Sequence, residues 1–313
     1  MGNIVFLALR LLRLVWARIP EKIREALLGY GLLFPVLLIL GAFVFWPLLE
    51  DLALSLFHGN LGNLFKEFAG VANYKDLLDD PVFRKAITNT AIYAAVSVPI
   101  TMMLALSLAV LLNSKIRLQG FFQTSFFLSY ITPTIAAVVV WRWIYERDHG
   151  LLNYYLGLIG VHGIDWLNSP EFALPAVIIF SIWKYVGYQV VLFLAGLQHI
   201  DKQLYEASQV DGASAWARFR DITWPLLAPT TFFVLLVSVI EAFKVFDVVY
   251  ALFPSRPGGP LRSALTAIVY LFQTAFEGFR LNYAAAAAFV IFVIIFILTI
   301  LQRRVFERRI YYE

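Results

Sequence analysis

The sequence has 313 residues, of which 61% are hydrophobic and only 15% charged, with a formal net charge of +4 and a mean hydropathy of +0.76. Soluble domains are about half apolar and about a quarter charged, so an ordinary water-soluble protein is excluded. No cysteine is present, which removes disulfides, zinc–thiolate centres and thiol catalysis from consideration.

The apolar residues gather into six blocks of about the length a helix needs to cross the hydrocarbon core. Lipid offers the backbone no hydrogen-bond partners, so such blocks are read as helices. The short alternating segments of an outer-membrane barrel are absent. Residues 1–26 come first, with Leu9, Leu12, Leu14, Val15 and Trp16 interleaved among Arg10, Arg13 and Arg18. They predict a helix on the cytoplasmic membrane surface, or simply a positively charged topology anchor. The first block, 27–49, is too long for a signal-peptide core and has no small-residue cleavage site after it, so it is expected to be retained. Blocks 86–112 and 120–143 follow, the latter with Arg142 at its outer end. The glycines and Pro170 of residues 144–171 mark a loop expected to hold a short helix. The fourth block, 172–196, carries Lys184 near its centre beside Trp183, with Tyr188 and Gln189 a turn further on.

Residues 197–223 read as helix, break, helix. Asp201 is placed to cap the first helix and Gly212 to end it in a left-handed conformation. Ala213 to Ile222 continue as a second helix with Trp216 and Phe219 on its apolar side, and Pro225 falls where the next block, 224–246, begins. A small helix of this kind can dock into a groove on a partner. Glu241 and Lys244 lie three residues apart within the fifth block, on one helix face and able to pair. Residues 254–260, Pro-Ser-Arg-Pro-Gly-Gly-Pro, form a strong turn signal. In 261–280, Leu265, Ile268, Phe272, Phe276 and Phe279 make one stripe and Ser263, Thr266, Tyr270, Gln273 and Glu277 the opposite one. That two-faced pattern predicts a helix lying against the bundle or at the interface rather than a seventh span. The last block, 283–302, contains the run Ala284–Ala288, which permits close helix packing.

Orientation follows from Lys and Arg in the flanks. With the amino terminus inside, 14 of the 25 basic residues are cytoplasmic, among them Lys22, Arg24, Lys115, Arg117, Lys202, Arg218, Arg220, Arg303, Arg304, Arg308 and Arg309. The predicted fold is therefore an all-α integral membrane protein of six transmembrane helices with both termini cytoplasmic. It divides into an interfacial amino-terminal helix (1–26), a transmembrane domain (27–302) containing the loop 197–223, and a cytoplasmic tail (303–313). Trp46, Trp141, Trp143 and Trp166 outside, with Trp16, Trp216 and Trp224 inside, fit interfacial belts. There is no Gly-Lys dipeptide and hence no P-loop, so any ATP-driven step needs a separate ATPase chain. The four histidines are scattered, and no catalytic constellation is present.

The run Glu206-Ala207-Ser208, Asp211-Gly212-Ala213, Phe219, Ile222, Pro225 and Pro229 resembles the signature loop of ABC importer permeases, in the form typical of maltose-type sugar permeases. Trp183-Lys184, Gly187, Leu194 to Gln198, Glu241 to Asp247 and Gly258-Gly259-Pro260 extend the resemblance from about residue 30 onward. Ser208 stands where a second alanine is usual, Asp201 where proline is frequent, and the outer loop departs from a Thr-Gly-Gly-Gly-Pro pattern. The resemblance implies a coupling helix in a cleft of ATP-binding subunits, with Glu206, Ala207, Ser208, Asp211, Gly212, Ala213 and Phe219 at that contact. It further implies a second homologous permease subunit, an extracytoplasmic solute-binding protein, and the cell membrane of a prokaryote. No cofactor is expected on this chain, ATP and magnesium residing on the ATPase, and no nucleic-acid partner is implied. Sugars and related polyols are the expected solutes, with glycerol-3-phosphate the alternative and a stand-alone secondary transporter a further one.

Ionisable groups inside a bilayer cost at least about 2.5 to 3.5 kcal/mol each and demand a role. Lys184, Glu241 and Lys244 either line a polar translocation path or fix helix packing. Trp183, Tyr188 and Gln189 either stack on and bond a sugar ring or are buried packing. The residues alone leave both pairs of readings open.

Overall fold

A computed structural model describes residues 20–114, 117–161 and 163–307. The expected helix over 1–26 falls mostly outside these residues, as do Lys115 and the end of the tail. Two compact units are present, dividing at Leu54 and Ser55.

The described residues of the first unit form one long helix, which ends at the start of the second. It comprises α1 (Glu21–Leu40), a π-helical turn (Gly41–Phe45) and α2 (Trp46–Ser55). Pro47 has no N–H to return to the carbonyl one turn earlier, and the wider π turn directly before it absorbs that missing bond. None of the α1 residues is buried.

The second unit opens with a feature that the all-α expectation lacked, an antiparallel hairpin of β1 (Phe57–Asn60) and β2 (Asn63–Phe68). Asn60 Oδ1 accepts from the amides of Gly62 and Asn63, closing the turn. Phe57 meets Phe65 and Phe68 edge-on across the pair. The signal was present in Gly59, Asn60, Gly62 and Asn63, turn formers between two short aromatic runs. A short α3 (Ala72–Asp79) leads to α4 (Pro81–Asn113), with Asp80 capping it through Val82 N.

α4 and α8 (Pro170–Gln198) pack along each other as the central pair. α4 buries Ala86, Ala94, Val98, Ala105 and Ala109 along one stripe, and its buried hydroxyls Thr90, Ser97 and Thr101 donate to carbonyls one turn back. Such internal satisfaction is what a helix in lipid requires.

The block expected as one straight span at 120–143 is instead two helices, α5 (Gln119–Ile131) and α6 (Thr134–Ile144), meeting at 97°. Pro133 lacks an amide and forces Thr132 into an extended conformation, so the ladder stops there. The loop that follows holds α7 (Leu151–Leu158), the short helix anticipated. After α8 come α9 (Lys202–Val210), α10 (Ala215–Arg218), a π turn (Phe219–Thr223), α11 (Trp224–Leu226) and α12 (Ala228–Phe243). Here too the block 224–246 is not straight: the chain bends by 64° between α11 and α12, each of which has a proline in its first turn.

α13 (Asp247–Leu252), a 3-10 turn (Pro260–Arg262), α14 (Ala267–Phe272) and a π turn (Gln273–Glu277) precede the last helix, α15 (Leu281–Glu307). Residues 261–280 do not form a span-length helix, as expected, but the two stripes do not divide cleanly into a buried and an exposed face: Leu265 is buried and Glu277 exposed. Thr266 and Tyr270 of the polar stripe are buried, bonding Val245 O and Asp80 Oδ2, while Phe276 and Phe279 are exposed. Thr266 and Tyr270 turn inward because they find partners there, which periodicity alone does not reveal. Ala284 to Ala287 of α15 are all buried, so the alanine run is a close-packing face.

By length and composition, four helices among the described residues can cross a membrane, or up to six if each bent pair is one span.

Candidate functional site

Two regions of the second unit carry the chemistry anticipated from the sequence. The first is the loop after α8. Asp201 Oδ1 accepts from Gln203 N at 2.9 Å and starts α9, as its position predicted. α9 ends in a Schellman arrangement: Gly212 has φ +74°, Ala213 N bonds Ser208 O at 2.9 Å, and Gly212 N bonds Gln209 O at 3.1 Å. Glycine is needed at 212 because a Cβ is disfavoured at that φ. Ser214 Oγ then caps α10 through Ala217 N, and Trp216 stacks on Phe219 with centroids 5.6 Å apart.

No α9 residue is buried. Glu206, Ala207, Asp211 and Gly212 are exposed, Ser208, Ala213 and Phe219 half-buried. Apolar side chains are exposed beside them, Val210 at 89% and Trp216 at 68%. The loop therefore brings the predicted contact residues together along α9, the Gly212 turn and the π turn that follows, most of them uncovered. Asp221 is held below the usual carboxylate range by the Arg220 guanidinium that bonds both its oxygens.

The second region is a cavity of about 270 Å³ enclosed by α4, α5, α8 and α12. Tyr93, Ser97 and Thr101 come from α4, Tyr130 from α5, Ser181, Tyr185, Tyr188 and Gln189 from α8, and Ser238 and Glu241 from α12. Tyr130 and Tyr188 stack at 4.7 Å and 20°, giving one aromatic wall. Gln189, only 4% exposed, donates from Nε2 to Ser238 Oγ at 2.9 Å, and its buried Oε1 has no partner. Buried polar atoms are nearly always bonded, so the orphaned oxygen marks a place for a donor. Glu241 Oε1 accepts from Lys244 Nζ at 3.0 Å, the pair predicted from spacing, with both side chains about half exposed.

Of the residues singled out for a translocation path, Tyr188, Gln189 and Glu241 line this cavity, and Lys244 reaches it through Glu241. Lys184 and Trp183 do not line it. Lys184 is 4% exposed, and its Nζ donates to the main-chain oxygens of Ser129, Tyr130 and Thr132, the carboxyl end of α5 at the helix break. A cation there satisfies carbonyls left open by the break and meets the negative end of the helix dipole. One turn on, Gly187 lies against the Phe126 carbonyl so closely that a Cβ has no room. Trp183 packs on Trp141 and Phe180.

Sequence reasoning passed over Tyr93, Ser97 and Thr101, although their four-residue spacing puts three polar groups on one face of an apolar helix. Tyr130, Ser181 and Ser238 gave no such signal. Trp166 is also misplaced by the interfacial-belt expectation: it is buried, with Nε1 donating to Asn153 Oδ1 at 3.0 Å.

Comparison with known proteins bears on the same residues. Residues 97–311 match the family described as binding-protein-dependent transport system inner membrane component. The chain is 36% identical over 278 residues to the lactose transport system permease protein of Rhizobium radiobacter, covering 88% of this chain and 92% of that one. Identity to the trehalose/maltose transport system permease protein of Thermococcus litoralis is 34% over 287 residues, covering 91% and 95%. It is 31% over 290 residues, covering 93% and 97%, to the sn-glycerol-3-phosphate transport system permease protein of Pectobacterium atrosepticum. In structure, it resembles a chain of a bacterial ABC transporter involved in the import of the acidic polysaccharide alginate, with TM-score 0.79, 24% identity, and coverage of 92% and 98%; that likeness speaks for the fold. Matched over most of its length by the family and by relatives above 30% identity, the chain belongs to the binding-protein-dependent transport system inner membrane components.

Proposed function

We propose that this chain is the permease subunit of a sugar ABC importer, passing an uncharged, hydroxyl-rich solute through the cavity between α4, α5, α8 and α12. The observation that carries the reading is the loop after α8: a capped helix that buries none of its own residues and ends the central span. Together with a second, homologous permease it forms the path, an extracytoplasmic binding protein delivers the solute, and separate ATP-binding subunits grip α9. ATP and magnesium belong to those subunits. The protein lies in a prokaryotic cell membrane with six spans, the two bent pairs counting as one each, and both termini in the cytoplasm.

The chemistry of the cavity bears on the solute. Sugars present a C–H face that packs on aromatic rings and lateral hydroxyls that both donate and accept. Tyr130 and Tyr188 offer the first kind of surface; Ser97, Thr101, Ser181, Gln189 and Glu241 offer the second. Among the described residues the lining holds one carboxylate, Glu241, and its cationic partner Lys244 lies beside the cavity. Glu241 is already paired with Lys244, and hydroxyls and aromatic rings make up most of the polar lining, so sugars of the lactose, trehalose or maltose kind fit better than glycerol-3-phosphate.

The test is a mild-detergent pulldown of the tagged chain from cells holding its native partners, followed by reconstitution of the recovered complex into liposomes. A P-loop ATPase and a second permease should copurify, and a Gly212→Pro variant should reach the membrane but lose the ATPase. ATP-dependent uptake of a labelled disaccharide should exceed that of glycerol-3-phosphate. Recovery of a lone chain, or a Gly212→Pro variant that binds and transports normally, refutes the assignment.

A further inference from the structure

A hydroxyl pair joins α9 to the segment that leads into the next span. Tyr205, on α9, turns its ring into the cluster formed by Leu112, Phe193, Leu197 and Leu227. Its hydroxyl lies 2.9 Å from Thr223 Oγ1, eighteen residues on. Thr223 is buried, closes the π turn Phe219–Thr223, and stands two residues before Pro225. The Thr223 hydroxyl faces the Arg218 carbonyl at 3.4 Å, which leaves Tyr205 as the donor in the pair. Among the described residues this is the only side-chain hydrogen bond linking α9 to the segment beyond Gly212.

Geometry makes the bond mechanically distinctive. The main chain between α9 and α12 passes through the Gly212 turn, the π turn and the 64° bend. Each interrupts the regular α-helical ladder, the kind of place at which helices kink and hinge. The Tyr205–Thr223 contact bypasses the first two and joins α9 to the segment that leads through the bend into α12, which carries Ser238 and Glu241 to the cavity.

We propose that the Tyr205–Thr223 hydroxyl pair is the rigid link by which movement of α9 is passed to α12, so that both are positioning residues for coupling rather than contacts to solute or ATPase. The proposal rests on the reading of α9 as the ATPase-docking helix. Tyr205→Phe keeps the ring in its apolar setting and removes only the hydroxyl; Thr223→Val does the same from the other side, and Thr223→Ser keeps the bond.

The experiment uses the complete transporter, copurified with its own ATPase and reconstituted with saturating binding protein and solute. It reads ATPase stoichiometry, ATP hydrolysis and solute transported per ATP. Tyr205→Phe and Thr223→Val should assemble as wild type yet transport about twofold to tenfold less solute per ATP, the range one ordinary hydrogen bond supplies. The double variant should be no worse than either single, and Thr223→Ser should match wild type. Wild-type solute per ATP in both singles overturns the link, as do additive losses. Failure of both singles to assemble also overturns it, since the pair would then serve only as scaffold. Absence of any ATPase from the wild-type preparation overturns the docking reading itself, and is distinguishable because it appears before any variant is compared.

Discussion

Replacing Lys184 by Met tests the assignment of that residue to the helix break rather than to the solute path. The stem volume is nearly kept, so the change isolates the ammonium group. Three hydrogen bonds from a charged donor are lost, to Ser129, Tyr130 and Thr132 oxygens. Bonds to charged groups contribute about 1.5 to 3 kcal/mol each, opposed by about 2.5 to 3.5 kcal/mol for placing a lysine within a membrane helix. The expected net destabilisation is about 3 kcal/mol, because the three carbonyls at the end of α5 are left without a donor in an apolar setting. Denaturant titration of the purified protein in mild detergent, followed by tryptophan fluorescence, reads it directly; Trp183 and Trp141 lie next to the site. A folded fraction with lowered midpoint and little-changed solute affinity is expected. An unchanged midpoint together with abolished solute binding would refute the reasoning and return Lys184 to the translocation path.

Three further outcomes follow from the geometry. Gly187→Val should separate α5 from α8, since the Phe126 carbonyl occupies the space a side chain needs; overpacking of this kind costs about 1 to 3 kcal/mol, and a variant as stable as wild type would show that the approach is looser. Trp183→Leu should leave uptake kinetics unchanged in assembled transporter, because the indole packs on Trp141 and Phe180 outside the cavity; a raised KM at constant expression would contradict that. Asp80 is opposed by burial, but the Tyr270 hydroxyl, the amides of Val82 and Phe83, and Tyr283 outweigh it and hold its carboxyl below the usual range. A carboxylate depressed on folding stabilises above its unfolded value of about 4 and loses that contribution as pH falls through the folded value. Thermal melts of wild type should therefore fall below about pH 4 more steeply than those of Asp80→Asn, and parallel curves would exclude the linkage.

Much of this protein was legible without coordinates because the signals were local. Lipid obliges each apolar block to satisfy its own backbone, so block length predicts helices. Gly212, Asp201 and Pro225 act on their own neighbours, and the loop they shape could be read residue by residue. The pairing of Glu241 with Lys244 needed only a helical period.

Tertiary structure decided what depends on residues distant in sequence. The break in the third block went unread although Pro133 stands there, and the lysine from α8 that occupies it is brought in only where α5 and α8 meet at Gly187. The cavity draws on four helices, and two of them contribute little polar lining of their own: one tyrosine from α5, one serine and one glutamate from α12. Thr266 and Tyr270 of the polar stripe in 261–280 faced inward because Val245 and Asp80 offered partners that no periodicity encodes. A charge or hydroxyl in an apolar helix announces that it needs a partner. Which partner it takes, and hence whether it holds the fold or faces the solute, is decided by the packing of the helices around it.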